Sequence, residues 1–267
     1  MKKQFKNLII NIILISLLMP LIILFIWAIS SSWVFPKIIP TEFSLRGFEY
    51  ILNGENIRVL INSILISISV VALTMLICIP ASKAIALYEF KGKKLFELLV
   101  LSPIIIPVIS VAMGIQLTFI KMGLANTVIG VIIINVIPCI PYGVKMITDV
   151  YKLIGDKYEL QANMLGAKKL DTLRYVTIPL ILPGVIGASS MCFIISFSQY
   201  FLTLLIGGGS VITYPLIMFP YIQSGDRMIS SIYSIVFILI SLIVVALMEG
   251  SIRKYYRNDK EIKNVIS

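Results

Sequence analysis

Apolar residues fall in six long blocks: Leu8 to Trp33, Val59 to Ala86, Leu98 to Ile120, Thr127 to Ile147, Leu180 to Ile206 and Met228 to Met248. Each holds about 20 residues or more, the length a helix needs to cross a hydrocarbon core of ~30 Å. Barrel strands would instead alternate apolar and polar positions over ~10 residues. The pattern therefore predicts an all-α membrane protein with six transmembrane helices. The first block is longer than the roughly 7–15-residue core of a signal peptide. It is expected as an uncleaved span, although Ala28-Ile29-Ser30 would suit a cleavage site.

The interruptions are equally informative. Trp27, Trp33 and Phe35 suit a membrane interface. Pro36 to Ile57 is polar, carries Glu42, Glu49 and Glu55, and predicts a short surface helix around Phe48, Tyr50 and Ile51. Pro103 and Pro107 predict an early kink in the third span. Pro138 and Pro141 in the fourth are tolerable where neighbouring helices satisfy the freed carbonyls, so that helix is expected to face protein. Pro183-Gly184 is expected to interrupt the fifth span, and Gly207 to Gly209 to end it. The sequence divides into an N-terminal span with a short outer segment (1–57), a five-helix membrane domain (58–250) and a basic tail (251–267).

The only long connection on its side of the membrane is Thr148 to Ile178, and it is not a plain polar loop. Tyr158, Ala162 and Leu165 fall at i, i+4 and i+7, a helical stripe. Gly166 can stop that helix from the C′ position. Leu170, Leu173 and Thr177 form a second short stripe, with Val176 beside them. Pro179 then opens the next apolar run, where a first-turn proline costs no hydrogen bond. Lys168 and Lys169 would also suit a helix lying on the membrane surface, but the glycine break favours two short helices on which something soluble pushes.

Composition sharpens this picture. The chain is 58% hydrophobic and only 13% charged, outside the range of soluble domains. Its net charge of +10 does not indicate a nucleic-acid partner, because the basic residues sit at span ends. With both termini inside, 18 of the 23 Lys and Arg face the cytoplasm, as the positive-inside rule requires. The Gly166 loop is then cytosolic. The chain has no His, so no His metal site or His acid–base chemistry exists. Cys78, Cys139 and Cys192 lie within apolar blocks and are expected as small buried hydrophobes.

The chemistry that is missing matters as much. No G-x-x-x-x-G-K-[ST] phosphate loop occurs, so ATP would have to be hydrolysed by a partner. No ionisable residue lies deep in a span, the mark of an ion-coupled carrier. Lys83, Glu97, Lys145 and Glu249 are expected near span ends, reaching water or headgroups. Asn135, Ser196, Ser198, Gln199 and Tyr200 are candidates for lining a pathway, or for hydrogen bonds between helices; Gln116 is open to the same two readings. No catalytic residue, cofactor or metal site is indicated.

Ala162, Gly166, Ala167 and the run Val176-Thr177-Ile178-Pro179-Leu180 resemble the EAA loop of ABC importer permeases of the binding-protein-dependent type. In that pattern Leu160 and Gln161 stand where the family has Glu and Ala, and Glu159 lies one place earlier. The Asn62-Ser63 pair and the Pro80-Ala81-Ser82 run are similar to the same family, and the likeness spans about Phe43 to Glu249. The stretches Phe197 to Tyr200, Leu205 to Gly209 and Tyr214-Pro215-Leu216 look most like the polyamine, ferric-iron and thiamine group. The resemblance implies a type I permease fold and a multi-pass subunit of the inner membrane. Its implied partners are separate ABC ATPase subunits, a second permease subunit (a heterodimer preferred to a homodimer), an extracytoplasmic solute-binding protein and membrane lipid. It also implies an ATPase-coupling role for Glu159, Gln161, Ala162, Leu165, Gly166, Ala167, Lys168, Lys169, Leu173 and Pro179. The solute would be a polyamine such as spermidine or putrescine, or thiamine or ferric iron. The alternative is a secondary carrier or channel working without an ATPase.

Overall fold

A computed structural model describes residues 2–33, 40 and 42–258. In chain order the elements are α1 (Lys2–Ala28), β1 (Ser30–Ser32), β2 (Glu42–Phe43), α2 (Arg46–Ile51), α3 (Gly54–Leu87), α4 (Lys93–Ile105), α5 (Val108–Lys121), α6 (Val128–Ile154), α7 (Lys157–Met164), α8 (Lys169–Thr172), a π-turn (Leu173–Thr177), α9 (Ile178–Phe197), α10 (Phe201–Gly207), α11 (Tyr214–Ser224) and α12 (Arg227–Asn258). Among the described residues, five helical stretches are long and apolar enough to cross a membrane. The bent pair α4–α5 makes six if it is one span.

Several spans differ from the hydrophobic blocks. The first helix starts at Lys2 and ends at Ala28 rather than running to Trp33. Ser30 and Ser32 pair instead with Phe43 and Glu42 in a two-stranded antiparallel ribbon. Phe35 lies outside the described residues. The short surface helix forms as α2.

The kink expected in the third block is a break between two helices. The halves α4 and α5 meet at 102°. Pro107 has no N–H to continue the helix and pushes the residue before it out of the helical region. Ile106 accordingly lies at φ −86°, ψ 122°. The fourth helix runs on to Ile154, so the connection expected from Thr148 begins seven residues later, at Gly155. The fifth block is broken, but not at Pro183-Gly184. Helix α9 passes through both, and the chain leaves the helix at Ser198 to Tyr200 before α10. The reason for Gly184 is packing. A Cβ there would meet Val150 Cγ2 of α6 at 2.7 Å.

The chain divides into two compact units. The smaller comprises residues 1–61 and 214–240. It is held by an aromatic cluster on Tyr233, whose ring stacks on Tyr221 at 5.6 Å and lies 5.3 Å from Tyr214. The Tyr214 hydroxyl donates to the Tyr233 carbonyl at 2.9 Å, and the Tyr233 hydroxyl to Asn56 Oδ1 at 3.2 Å. Arg227 sits over the Trp27 ring at 5.2 Å.

The larger unit comprises residues 62–213 and 241–267. Its axis is the packing of α6 on α9, where small residues let two backbones approach, as membrane helices require. The thiols of Cys139 and Cys192 each donate to the other's carbonyl at 3.6 Å. Cys78 and Ser82 of α3 donate to the carbonyls of Ile140 and Val144 of α6 at 3.7 and 3.1 Å. All three cysteines are buried and free. Helix α6 buries its Asn135, Pro141, Gly143 and Thr148 together, in keeping with a proline-bearing helix that faces protein.

Candidate functional site

The loop around Gly166 is a compact, ordered corner. Helix α7 ends at Met164, and Gly166 takes φ +86°. The Gly166 N–H bonds the Asn163 carbonyl and the Ala167 N–H bonds the Ala162 carbonyl, both at 3.0 Å. These two bonds are the paired closure of a Schellman motif, with Gly166 at C′. The glycine therefore stops the helix as its position predicts. It faces open space, so its backbone conformation, and not crowding, is what calls for glycine.

Beyond the corner the chain does not start a fresh helix at Pro179. Helix α8, the π-turn and α9 form one continuous helical stretch from Lys169 to Phe197. Pro179 lacks the N–H that would bond the Tyr175 carbonyl. The wider π-turn, closed by the Ile178 N–H on the Leu173 carbonyl, absorbs that defect. Such turns occur as single interruptions inside α-helices, often at functional positions. The corner is thus joined rigidly to a membrane-spanning helix.

The side chains of the stripes divide. Tyr158 and Ala162 are half-buried, and Thr172 and Thr177 are buried. Leu165 and Leu170 are the outward members of the two stripes, 89% and 74% exposed, beside Met164 at 86%. Helix α7 is short, and the chain turns at Gly166 directly after Leu165. Gln161, Lys168 and Lys169 are also exposed; Leu173 is 38% exposed. The corner therefore presents a small apolar face ringed by lysines.

Its inner face is polar and closed. Lys83, at the end of α3, donates to both Glu159 oxygens at 2.8 and 2.6 Å. The Thr177 hydroxyl donates to Glu159 Oε1 at 2.6 Å. Burial raises the Glu159 carboxyl, but the Lys83 and Thr177 hydrogen bonds and the Lys83 charge outweigh it, and its pKa lies below the ordinary carboxylate value. Thr172 donates to Asn163 Oδ1 at 3.2 Å, tying α8 to α7. A cleft of about 260 Å³ lies here, lined by Lys83, Tyr88, Glu159, Asn163, Lys169, Thr172, Leu173 and Thr177. Lys83, expected to reach water or headgroups, is thus an ion-pair partner. The sequence signals for this hub were faint: a lysine in the last turn of a span, and a threonine two residues before Pro179.

The other candidates lie apart from this corner. Asn135 is buried and donates to Thr203 Oγ1 of α10 at 3.2 Å. Ser196 is buried and donates to Ser67 of α3 at 3.3 Å. Gln116 reaches the Leu205 carbonyl at 3.5 Å. These bonds link helices. Ser198, Gln199 and Tyr200 form the break between α9 and α10, with Ser198 exposed and the other two half-buried.

Fold and corner together define a class: a multi-span helical membrane protein in which two spans, α6 and α9, are joined through an ordered, partly apolar elbow. Residues 79–255 match the family described as binding-protein-dependent transport system inner membrane component. The chain belongs to that family and is a permease subunit of an ABC importer, a non-catalytic membrane component. It is 24% identical to the putative 2-aminoethylphosphonate transport system permease protein PhnV of Salmonella typhimurium, over 86% of this chain and 87% of that one. It is 26% identical to the spermidine/putrescine transport system permease protein PotC of Haemophilus influenzae, over 79% and 83%. A PotC homolog of Mycoplasma genitalium is 26% identical over 98% and 96%. The fold is similar to that of a bacterial ABC transporter involved in import of the acidic polysaccharide alginate, with a TM-score of 0.69 over 95% of this chain and 96% of that one, at 18% identity.

Proposed function

We propose that the Gly166 corner is the cytosolic face on which a soluble ATPase subunit seats, and that this chain forms half of a solute pathway moved by that subunit. The observation that carries this reading is the exposed apolar trio Met164, Leu165 and Leu170 on a corner closed by a Schellman motif and continuous with α9. A solvated apolar face on an ordered extramembrane element is what a groove-binding partner needs. The charge distribution, with 18 of 23 basic residues on the corner's side, supports a cytosolic placement of the corner and of both termini.

In this reading Gln161 to Lys169 sit in the ATPase groove, and ATP-driven closure of the ATPases displaces the corner. Helix α9 carries the displacement into the membrane, and the pathway switches its open side by rigid-body rocking. The two ATPase states must favour different corner positions, or nothing is transmitted. A second permease subunit completes the pathway, and an outer receptor delivers the solute. A polyamine is the solute we assign, supported by the two polyamine permeases among the relatives, one alignable over nearly the whole chain.

The test is transport by the purified complex of this chain, its second permease, its ATPase and its outer receptor in proteoliposomes. Spermidine is expected to accumulate only with ATP and the ATPase present. Spermidine uptake by this chain alone would contradict the reading.

A further inference from the structure

The corner is tied to two membrane helices, not one. It is continuous with α9 through the π-turn, and it is separately bonded to the end of α3 through Glu159. The carboxylate of Glu159 receives Lys83 Nζ on both oxygens, and shares Oε1 with the Thr177 hydroxyl. Both charges of the pair are largely removed from water, with 27% of the Lys83 side chain and 19% of the Glu159 side chain exposed. Thr177 is buried at 3% exposure and is the last residue of the π-turn, at the point where the corner becomes α9. One carboxylate therefore joins three elements: α3, α7 and the root of α9.

From this we infer that Glu159, Lys83 and Thr177 form a tie that makes α3 move with α9 when the corner is displaced. The inference rests on the docking role proposed for the corner. A pair at these distances, partly withdrawn from solvent, is costly to separate, because each charge left behind would be poorly solvated. Displacing α7 thus carries Lys83 with it, while Thr177 keeps α7 in register with α9. Further up α3 and α9, Ser67 and Ser196 meet in a polar bond at 3.3 Å, a single neutral contact too weak to carry the motion without the charged tie. The three residues are positioning residues, acting through one another.

The test uses the assembled complex in nanodiscs. Single cysteines placed at Asn62 on α3 or at Ser198, just past α9, report exposure to a membrane-impermeant maleimide; both native side chains are exposed. The native thiols are buried and stay silent. In the otherwise unaltered chain, ATP with vanadate is expected to change the labelling rate at both sites. In Lys83→Gln and Thr177→Val, the nucleotide response at Asn62→Cys is expected to fall about tenfold, a coupling of ordinary size between sites. The response at Ser198→Cys should persist, with the ATPase still bound and hydrolysing ATP. The charge swap Lys83→Glu with Glu159→Lys, and Thr177→Ser, should restore the Asn62 response. A full response at Asn62 in the single variants, or none in the unaltered chain, would overturn the tie. So would a swap that fails to restore it. The docking reading fails separately, if Leu165→Asp still co-purifies with the ATPase as the unaltered chain does.

Discussion

Gly166 shows how one residue shapes the corner. Its φ of +86° is a conformation L-residues avoid at a cost of about 1–2 kcal/mol. Nothing lies within 4 Å of where a Cβ would project, so the cost of substitution is in the backbone alone. Gly166→Asn should be nearly silent, since Asn tolerates this region. Gly166→Val should fray the Schellman closure, and hydrogen exchange at the amides of Gly166 and Ala167 would report it. Equal protection in the two variants would show that the closure does not depend on φ. Glu159 is a residue of the opposite kind, whose value lies in its partners. With its pKa depressed below the ordinary carboxylate value, its stabilising contribution is complete above that ordinary value. The contribution is lost only as pH falls through the lower folded-state value. The Glu159 carboxylate of the tie is therefore ionised at neutral pH.

At the scale of elements, glycines and thiols set how closely helices pack. On α6, Gly143 leaves room for Cys78 of α3: a Cβ there would lie 2.7 Å from its sulfur. Gly143→Leu should cost about 1–3 kcal/mol through overpacking. Thermal unfolding read by a thiol-reactive dye is a direct measure, since Cys78, Cys139 and Cys192 are hidden until the helices part. The variant's midpoint should fall by several degrees; an unchanged midpoint would mean that α3 and α6 yield freely there.

The apolar blocks made the number of spans and their approximate places legible in the sequence, because block length maps directly onto membrane thickness. The breaks were not legible. Pro183-Gly184 and Pro107 look alike as text, yet α9 runs straight through the first pair while α4 and α5 part by 102° at the second. The difference lies in what each residue packs against, which a linear pattern does not carry. Gly166 was legible because helix stops have a local signature. The partnership of Lys83 and Glu159 was not, since it joins residues 76 positions apart.

At the scale of the whole molecule, the chain is a permease subunit of an ABC importer, a non-catalytic membrane component. In the proposed reading the push enters through a surface, and the apolar trio on the Gly166 corner is the surface to test. The most direct measurement places a photo-activated cross-linking residue at Leu165 in the assembled complex and identifies what it captures. The account predicts efficient, specific attachment to the ATPase subunit, changing in yield between nucleotide-free and ATP-vanadate states. Attachment to lipid or to an outer receptor, with none to the ATPase, would contradict it.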